Sequence, residues 1–304
     1  MSELRAPNLP DPIQRDEVAR RLPSLDAQID LAEATYRAMA RGETELPPKI
    51  GVHPRPDAFL HAMPAYLRDQ DTVTLKWVSG FPGNPSRGLP YITGAIIVND
   101  AETGVPVAFL DAGEITAART AAASGVCIRR WAPEGWGRAA ILGCGEQARY
   151  HAAVLRHLRP QVEIAAYDPV PGRVARLGDG VHAAATAREA VEGADVVVSA
   201  GPIVAQSPSP LTSSWLGDRP WLLLPIDFDL YASAEVVDAA DLFVTDDVDQ
   251  FESYRLAGHF TSWPAPASSV GQALEAGEGG RRVVACNLGV ATLDAAFARA
   301  VLAS

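Results

Sequence analysis

Residue type and spacing first point to chemistry in the segment AAILGCGEQARYHAAVLRHL. An apolar run ends at Gly143, and Cys144, Gly145, Glu146, Gln147 and Ala148 lead into a helical pattern, fitting Gly-x-Gly-x-x-Ala. Gly143 permits a tight turn, Gly145 lets backbone approach a pyrophosphate, and the small Ala148 lets the helix lie close to the strand. The helix N-terminus then offers N–H groups to phosphate. A second strand-like run ends at Asp168, 25 residues after Gly143, close to the interval expected for a carboxylate that accepts from the adenosine ribose. Its charge would repel a 2′-phosphate, so the loop reads as an NAD(H) site with NADP(H) less favoured. Arg173, five residues on, would give some tolerance of the phosphate. The competing reading of Asp168 is a surface Asp-Pro turn.

A further chemical signal is Asp227, at the end of the run WLLLPID. A carboxylate closing so apolar a stretch is expensive to bury without a partner or a task. The alternative is a cap or turn residue, a role to which Asp229 is better suited.

These residues need elements to place them. Beyond Gly137 the runs AAILG, VEIAAY, DVVVSA and WLLLPID alternate with Ala-rich helical segments, and LFVTDD and VVACNLG continue the series. Strand and helix in alternation predict a parallel, doubly wound sheet. Between Lys49 and Leu110 the pattern is different. Short β-like runs such as Thr72 to Val78 and Ala95 to Val98, divided by turns including FPGNPSRGLP, predict a mainly antiparallel sheet with long loops. Amphipathic spacing predicts helices over Leu25 to Met39 and Ala291 to Leu302, the second able to pack back on the N-terminal part, and TAARTAAASGVCIRRW predicts a helix starting near Ile115. The expected architecture is α/β: a Rossmann-type domain, residues 123–287, inserted in an α+β substrate and dimerisation domain of residues 1–122 and 288–304.

Composition narrows the partners. The net charge of −11 and the absence of a Lys/Arg run argue against nucleic acid and anionic membrane surfaces. No leader or spanning segment is evident in the sequence, so a cytoplasmic protein is expected. Cys127, Cys144 and Cys286 have no ligand spacing and read as small buried hydrophobes, with no metal site implied.

Three segments together carry a family resemblance: LKWVSGFPGNPSRGLPYITGAIIVNDAETGVPVAFLDAGEITAARTAAASG, the GCGEQA loop directly after it, and LLLPIDFD. In order and spacing, over roughly Pro47 to Asp294, the chain resembles the ornithine cyclodeaminase and mu-crystallin family, which includes archaeal-type alanine dehydrogenase and cyclic-imine reductases. The resemblance implies a homodimer joined through the N-terminal unit, an active site between that unit and the NAD domain, and hydride transfer at the substrate Cα.

Site residues follow from the same resemblance. Lys76 matches the catalytic lysine, whose ammonium stabilises negative charge developing beside an imine or carbonyl and exchanges protons if its pKa is depressed. Arg119, in TAARTAA, matches the arginine that grips a carboxylate through two parallel hydrogen bonds. Asp227 matches the proton-handling aspartate, although Pro225-Ile226-Asp227 replaces the usual Gly-x-Asp. Thr120 and Ser199 are assigned to the cofactor contact. Lys49 stands where many members carry arginine, keeping the cation but as a point charge. His61 stands where cyclodeaminases carry glutamate and alanine-dehydrogenase-like members arginine, and its alternative is a structural histidine. Tyr91 replaces a smaller residue and would reshape the substrate pocket.

The substrate expected is therefore a small amino or imino acid, oxidised or reduced at its Cα–N bond with NAD(H). Two alternatives stand beside this: an ornithine or lysine cyclodeaminase that recycles its NAD+, and a non-catalytic, crystallin-like NAD(P)H-binding protein.

Overall fold

Alternation of side chains organises the first sheet. In the strand Thr72–Gly80, Thr72, Thr74, Lys76 and Val78 are buried while Trp77 between them is exposed, as the two-residue period of a half-covered strand requires. The computed structural model describes residues 8–204 and 207–304, and these fall into two units.

The first unit contains residues 8–24, Gly42–Arg119 and Val290–Ser304. Its sheet runs in the order Pro12–Ile13, Pro106–Asp111, Ile92–Asp100, Thr72–Gly80, Ala58–Leu67, Thr44–Glu45, with Ile50–Arg55 also pairing to Ala58–Leu67. Every pairing but the first is antiparallel. The C-terminal helix Ala291–Leu302 lies on this sheet, as its amphipathic spacing predicts. Leu293, Phe297 and Val301 are fully buried along one side of it. At about 1.5–3 kcal/mol each, they offset the cost of carrying Asp294 into the same interior.

The second unit contains Leu25–Arg41 and Thr120–Gly289. Its sheet is parallel throughout, in the order Val181–Ala183, Glu163–Tyr167, Arg138–Leu142, Val196–Ser199, Trp221–Pro225, Arg282–Cys286, Leu242–Thr245, Ser268–Ser269. Strands such as Val196–Ser199 and Trp221–Pro225 are buried at every position. That is why they read as unbroken apolar runs. The strand order reverses between Arg138–Leu142 and Val196–Ser199, which makes a crevice outside their C-terminal ends, the usual ligand position in such sheets. All three cysteines are free and buried. Among the described residues no helix is long and apolar enough to cross a membrane.

The expected boundaries need correcting. The helix Leu25–Ala40, assigned from sequence to the first unit, packs in the second. Gly125 leaves room for Ile29, since a Cβ there would come within 2.8 Å of its side chain. Tyr36 donates its hydroxyl to Asn287 Oδ1 at 3.3 Å, and Arg129 holds both Asp26 and Asp30. Helical spacing marks which face of a helix is apolar but not which partner buries it. The division then falls after Arg119 and after Gly289 instead of after 122 and 287. The helix expected near Ile115 begins at Gly113, whose N–H is held by Asp111 Oδ1 at 2.8 Å.

Candidate functional site

Cross-strand register gathers the first group of residues. Lys76 pairs with Met63 on one side and Ile96 on the other, and His61 pairs with Val78 and Gly51. Directly paired residues share a sheet face, so Lys76, His61 and Gly51 point the same way, and Lys49 and His53 flank Gly51 at two-residue spacing. Gly51 is required there, because a Cβ would lie 2.4 Å from the His61 ring.

Two helices complete this group. Asp294, in the first turn of Ala291–Leu302, places Oδ2 2.6 Å from Lys76 Nζ and accepts Arg119 Nε–H on Oδ1 at 3.1 Å. The Lys76 contact is an ion pair at close range. Thr116, one turn before Arg119 on Gly113–Trp131, accepts from Lys76 Nζ at 3.5 Å. Lys76 and Asp294 are each 1% exposed and Arg119 6%.

Burial is the main cause that brings the Lys76 ammonium down from 10.5 to about 7. Asp294 opposes that shift, while Arg119 and Lys49 add to it. A lysine so placed populates both protonation states at neutral pH. Burial, with Lys49, His53 and Lys76 nearby, likewise lowers His61 to about 4. His61 is therefore neutral at pH 7, and it stacks on Phe59 at 4.4 Å.

Tyr91 lies farther along the sheet. Its carbonyl accepts Phe81 N–H where the loop closes, just beyond the Gly80–Ile92 pair. That places its backbone some five strand residues from the Lys76 row, about 16 Å at 3.3 Å per residue.

The second group is built at the C-terminal ends of the parallel strands. Gly143 adopts φ +87°, and a Cβ there would be 2.8 Å from Ala200 and Gly201 backbone. Only glycine fits that turn. Gly145 precedes the helix Glu146–Leu158, and a Cβ on it would meet nothing within 4 Å. Backbone open on that side, at a helix N-terminus, can approach a pyrophosphate. Ala148 is fully buried, as close strand-to-helix packing needs.

Asp168 is turned toward the loop. It accepts Cys144 N–H on Oδ2 and Val170 N–H on Oδ1, each at 2.8 Å, and Arg173 Nη1 lies 3.5 Å from Oδ1. The Asp-Pro turn and the loop-terminal carboxylate are thus one structure. Cys144 commits its N–H to Asp168, with its thiol buried and raised to about 12 chiefly by burial. Gln147 contributes its carbonyl to His151 Nδ1 at 2.7 Å, so Nδ1 donates and Nε2 accepts the Ser124 hydroxyl at 3.0 Å. His151 is held neutral, its pKa lowered to about 4 by burial. Thr120, also buried, is the first residue of this unit on the same helix as Ser124.

Asp227 follows the strand Trp221–Pro225 and is 1% exposed. Its Oδ1 accepts Ser199 Oγ–H at 2.6 Å and its Oδ2 accepts Gly201 N–H at 2.8 Å. Burial raises it from 3.8 to about 7 against the pull of these two donors. Phe228 beside it has φ +64°, a conformation costing about 1–2 kcal/mol. Edge-to-face contacts with Tyr254 and His259 and a tilted contact with Phe260 hold it there. Asp229 acts as the local cap, accepting Ser207 Oγ–H and Phe260 N–H. Pro225-Ile226 in place of Gly-x therefore still presents Asp227 as a buried, hydrogen-bonded carboxylate.

The family model for the ornithine cyclodeaminase/mu-crystallin family matches residues 13–249. The chain belongs to this family. A nodulation efficiency protein from Rhizobium meliloti is 34% identical over 95% of this chain and 92% of its own length. Alanine dehydrogenase of Archaeoglobus fulgidus is 36% identical over 51% of this chain and 48% of its own. Among solved structures, Δ1-pyrroline-2-carboxylate reductase of Thermococcus litoralis, with NADH and L-proline, superimposes with TM-score 0.82 at 23% identity, covering 95% of both chains. An archaeal alanine dehydrogenase dimer with bound NAD gives 0.79 at 26% identity, covering 95% of this chain and 94% of that one. The fold is therefore the NAD-binding α/β fold of these enzymes, and oxidoreductases are prominent among the relatives.

Sequence reasoning missed Asp294, Thr116, and the His151–Ser124 pair. Asp294 did leave a trace: it is the lone acid in ATLDAAFARAVL, buried where an isolated carboxylate would be costly.

Proposed function

We propose that this protein is an NAD(H)-dependent oxidoreductase that oxidises an amino acid or reduces an open-chain or cyclic imino acid at the Cα–N bond. The observation that carries this reading is Lys76, wholly buried yet poised near neutrality between Asp294 and Arg119. A lysine whose pKa is lowered by burial beside a specific charge partner has the character of a proton-exchanging group. The glycine loop fits the cofactor: open backbone at Gly145, a turn only Gly143 can make, and a helix N-terminus for phosphate. NAD(H), when bound, would supply or accept the hydride.

The chain's own residues would do the rest. Arg119, with Lys49 as a second cation, binds the substrate carboxylate and so fixes the direction in which Cα faces. Lys76 Nζ hydrogen-bonds the substrate nitrogen or carbonyl oxygen, lending a proton as negative charge develops and recovering it in reverse. Asp227, also poised near 7, is a second group able to take up or release a proton at that pH. Because Asp168 already serves Cys144, Val170 and Arg173, the preference for NAD(H) over NADP(H) rests on the negative charge it keeps near the loop.

Cyclisation of ornithine or lysine fits the same site less well. An ω-ammonium needs an anion, and His61 offers a neutral ring beside Lys49 and Lys76. The outer face of the first sheet supports a homodimer formed with a second copy of the chain. Ile50, Val52, Trp77 and Val107 lie exposed on it, in register with Leu60, Ala62 and Ala95. Apolar side chains clustered on one exposed sheet face are what such an interface would bury.

The test is NADH absorbance with purified protein and two panels: 2-oxo acids plus ammonia or methylamine, and cyclic imines carrying a carboxylate. Turnover with at least one member is expected, and ammonia release from diamino acids is not. A protein that binds NADH but turns over neither panel would refute the oxidoreductase reading and favour the crystallin-like one.

A further inference from the structure

Two cations stand on one buried carboxylate in the first unit. Lys76 reaches Asp294 Oδ2 and Arg119 reaches Oδ1, with both Lys76 and Asp294 sealed from solvent. Placing Lys76 and Arg119 this close without an anion between them would set two uncompensated charges in a low-dielectric interior. The helix carrying Asp294 is anchored by Leu293, Phe297 and Val301; a first-turn acid suits its N-terminus, but an exposed one would serve that as well, and Asp294 is 1% exposed.

We propose that Asp294 is a positioning residue: its carboxylate sets the distance and direction between Lys76 Nζ and Arg119, so that one group meets the substrate nitrogen while the other meets its carboxylate. This rests on the oxidoreductase reading above. The chemistry needs both cations at a fixed separation, since a carboxylate and an α-nitrogen sit two bonds apart on every amino or imino acid. A rigid strand and two helices supply the backbone positions. A long lysine stem still keeps many rotamers, and the ion pair selects among them.

Geometry also gives Asp294 an electrostatic consequence. The charged and polar groups facing Lys76 are Asp294 from the C-terminal helix, Arg119 and Thr116 from Gly113–Trp131, His61 from the neighbouring strand, and Lys49 before Ile50–Arg55. Asp294 is the one anion among these and favours the protonated lysine. Without it, Lys76 would lose its proton at a lower pH and stand unprotonated at neutrality, unable to donate.

The experiment follows the Lys76 side chain directly in the full-length protein. Lysine is labelled with 13C and 15N, and the Lys76 signals are assigned by their loss in Lys76→Met. In the parent protein the titration midpoint is expected at about 7. Asp294→Asn, nearly isosteric, should lower it by at least about one pH unit, and Asp294→Glu should recover part of the shift. An unchanged midpoint in Asp294→Asn overturns the proposal. Should Asp294→Asn fail to fold, Asp294→Glu, which keeps the charge but moves the carboxylate by one methylene, is titrated in its place, and a Lys76 midpoint and a substrate KM both unchanged from the parent likewise overturn the proposal. If the titration moves as expected but no imino acid is ever turned over, the positioning role stands and the oxidoreductase reading falls.

Discussion

Replacing Lys76 by methionine should make the protein more stable at neutral pH, and less distinguishable from the parent as pH rises. The unfolded lysine titrates at 10.5 and the folded one at about 7. Between those values the unfolded chain holds a proton that the native chain has released, so stability climbs with pH across that window and is depressed below it. The gap, 10.5 minus 7, is 3.5; at about 1.4 kcal/mol per pH unit it amounts to on the order of 5 kcal/mol near pH 7. Methionine matches the stem in length and carries no charge, while Arg119 and Asp294 keep each other as partners. Much of the penalty should therefore vanish. The assay is urea unfolding followed by circular dichroism at pH 7, 8, 9 and about 10 for both proteins. Lys76→Met should have the higher midpoint at pH 7, the difference shrinking toward pH 10. A difference that stays constant with pH, or a variant less stable at pH 7, would refute the argument that burial strips Lys76 of its charge.

Asp227 has the opposite slope, since its folded value of about 7 lies above the unfolded 3.8: native protein holds the extra proton between them, and stability falls as pH rises through that range. Asp227→Asn should flatten urea midpoints between pH 4 and 7 and lower kcat by about 10²–10⁴-fold. Arg119→Lys should raise KM for the carboxylate substrate by about tenfold or more in NADH-coupled assays, because the bidentate fork is lost; an unchanged KM removes Arg119 from the carboxylate site. Gly143→Ala sets a Cβ 2.8 Å from Ala200 and Gly201 backbone at φ +87°. It should cost about 1–3 kcal/mol and weaken NADH binding measured by fluorescence titration, and an unaltered Kd would contradict the tight turn.

Much of this protein is legible in its sequence because local rules govern those parts. The buried strands Val196–Ser199 and Trp221–Pro225 read as apolar runs, and the GCGEQA loop combines a positive-φ turn with helix initiation inside six residues. Lys76, Arg119 and Asp227 were visible through the order of motifs, and the burial of Asp227 through the apolar run before it. What the sequence left open depends on contacts distant along the chain. The helix Leu25–Ala40 declares an apolar face, but only packing against Gly125 and Gly271 decides which unit receives it. Asp294 lies 218 residues from Lys76 and 175 from Arg119, so no spacing rule could join them. Only the closing of the C-terminal helix onto the first sheet brings that carboxylate to both cations. The charge state of Lys76 is decided there as well, because burial and neighbouring charge, and not residue type, set how firmly a lysine holds its proton.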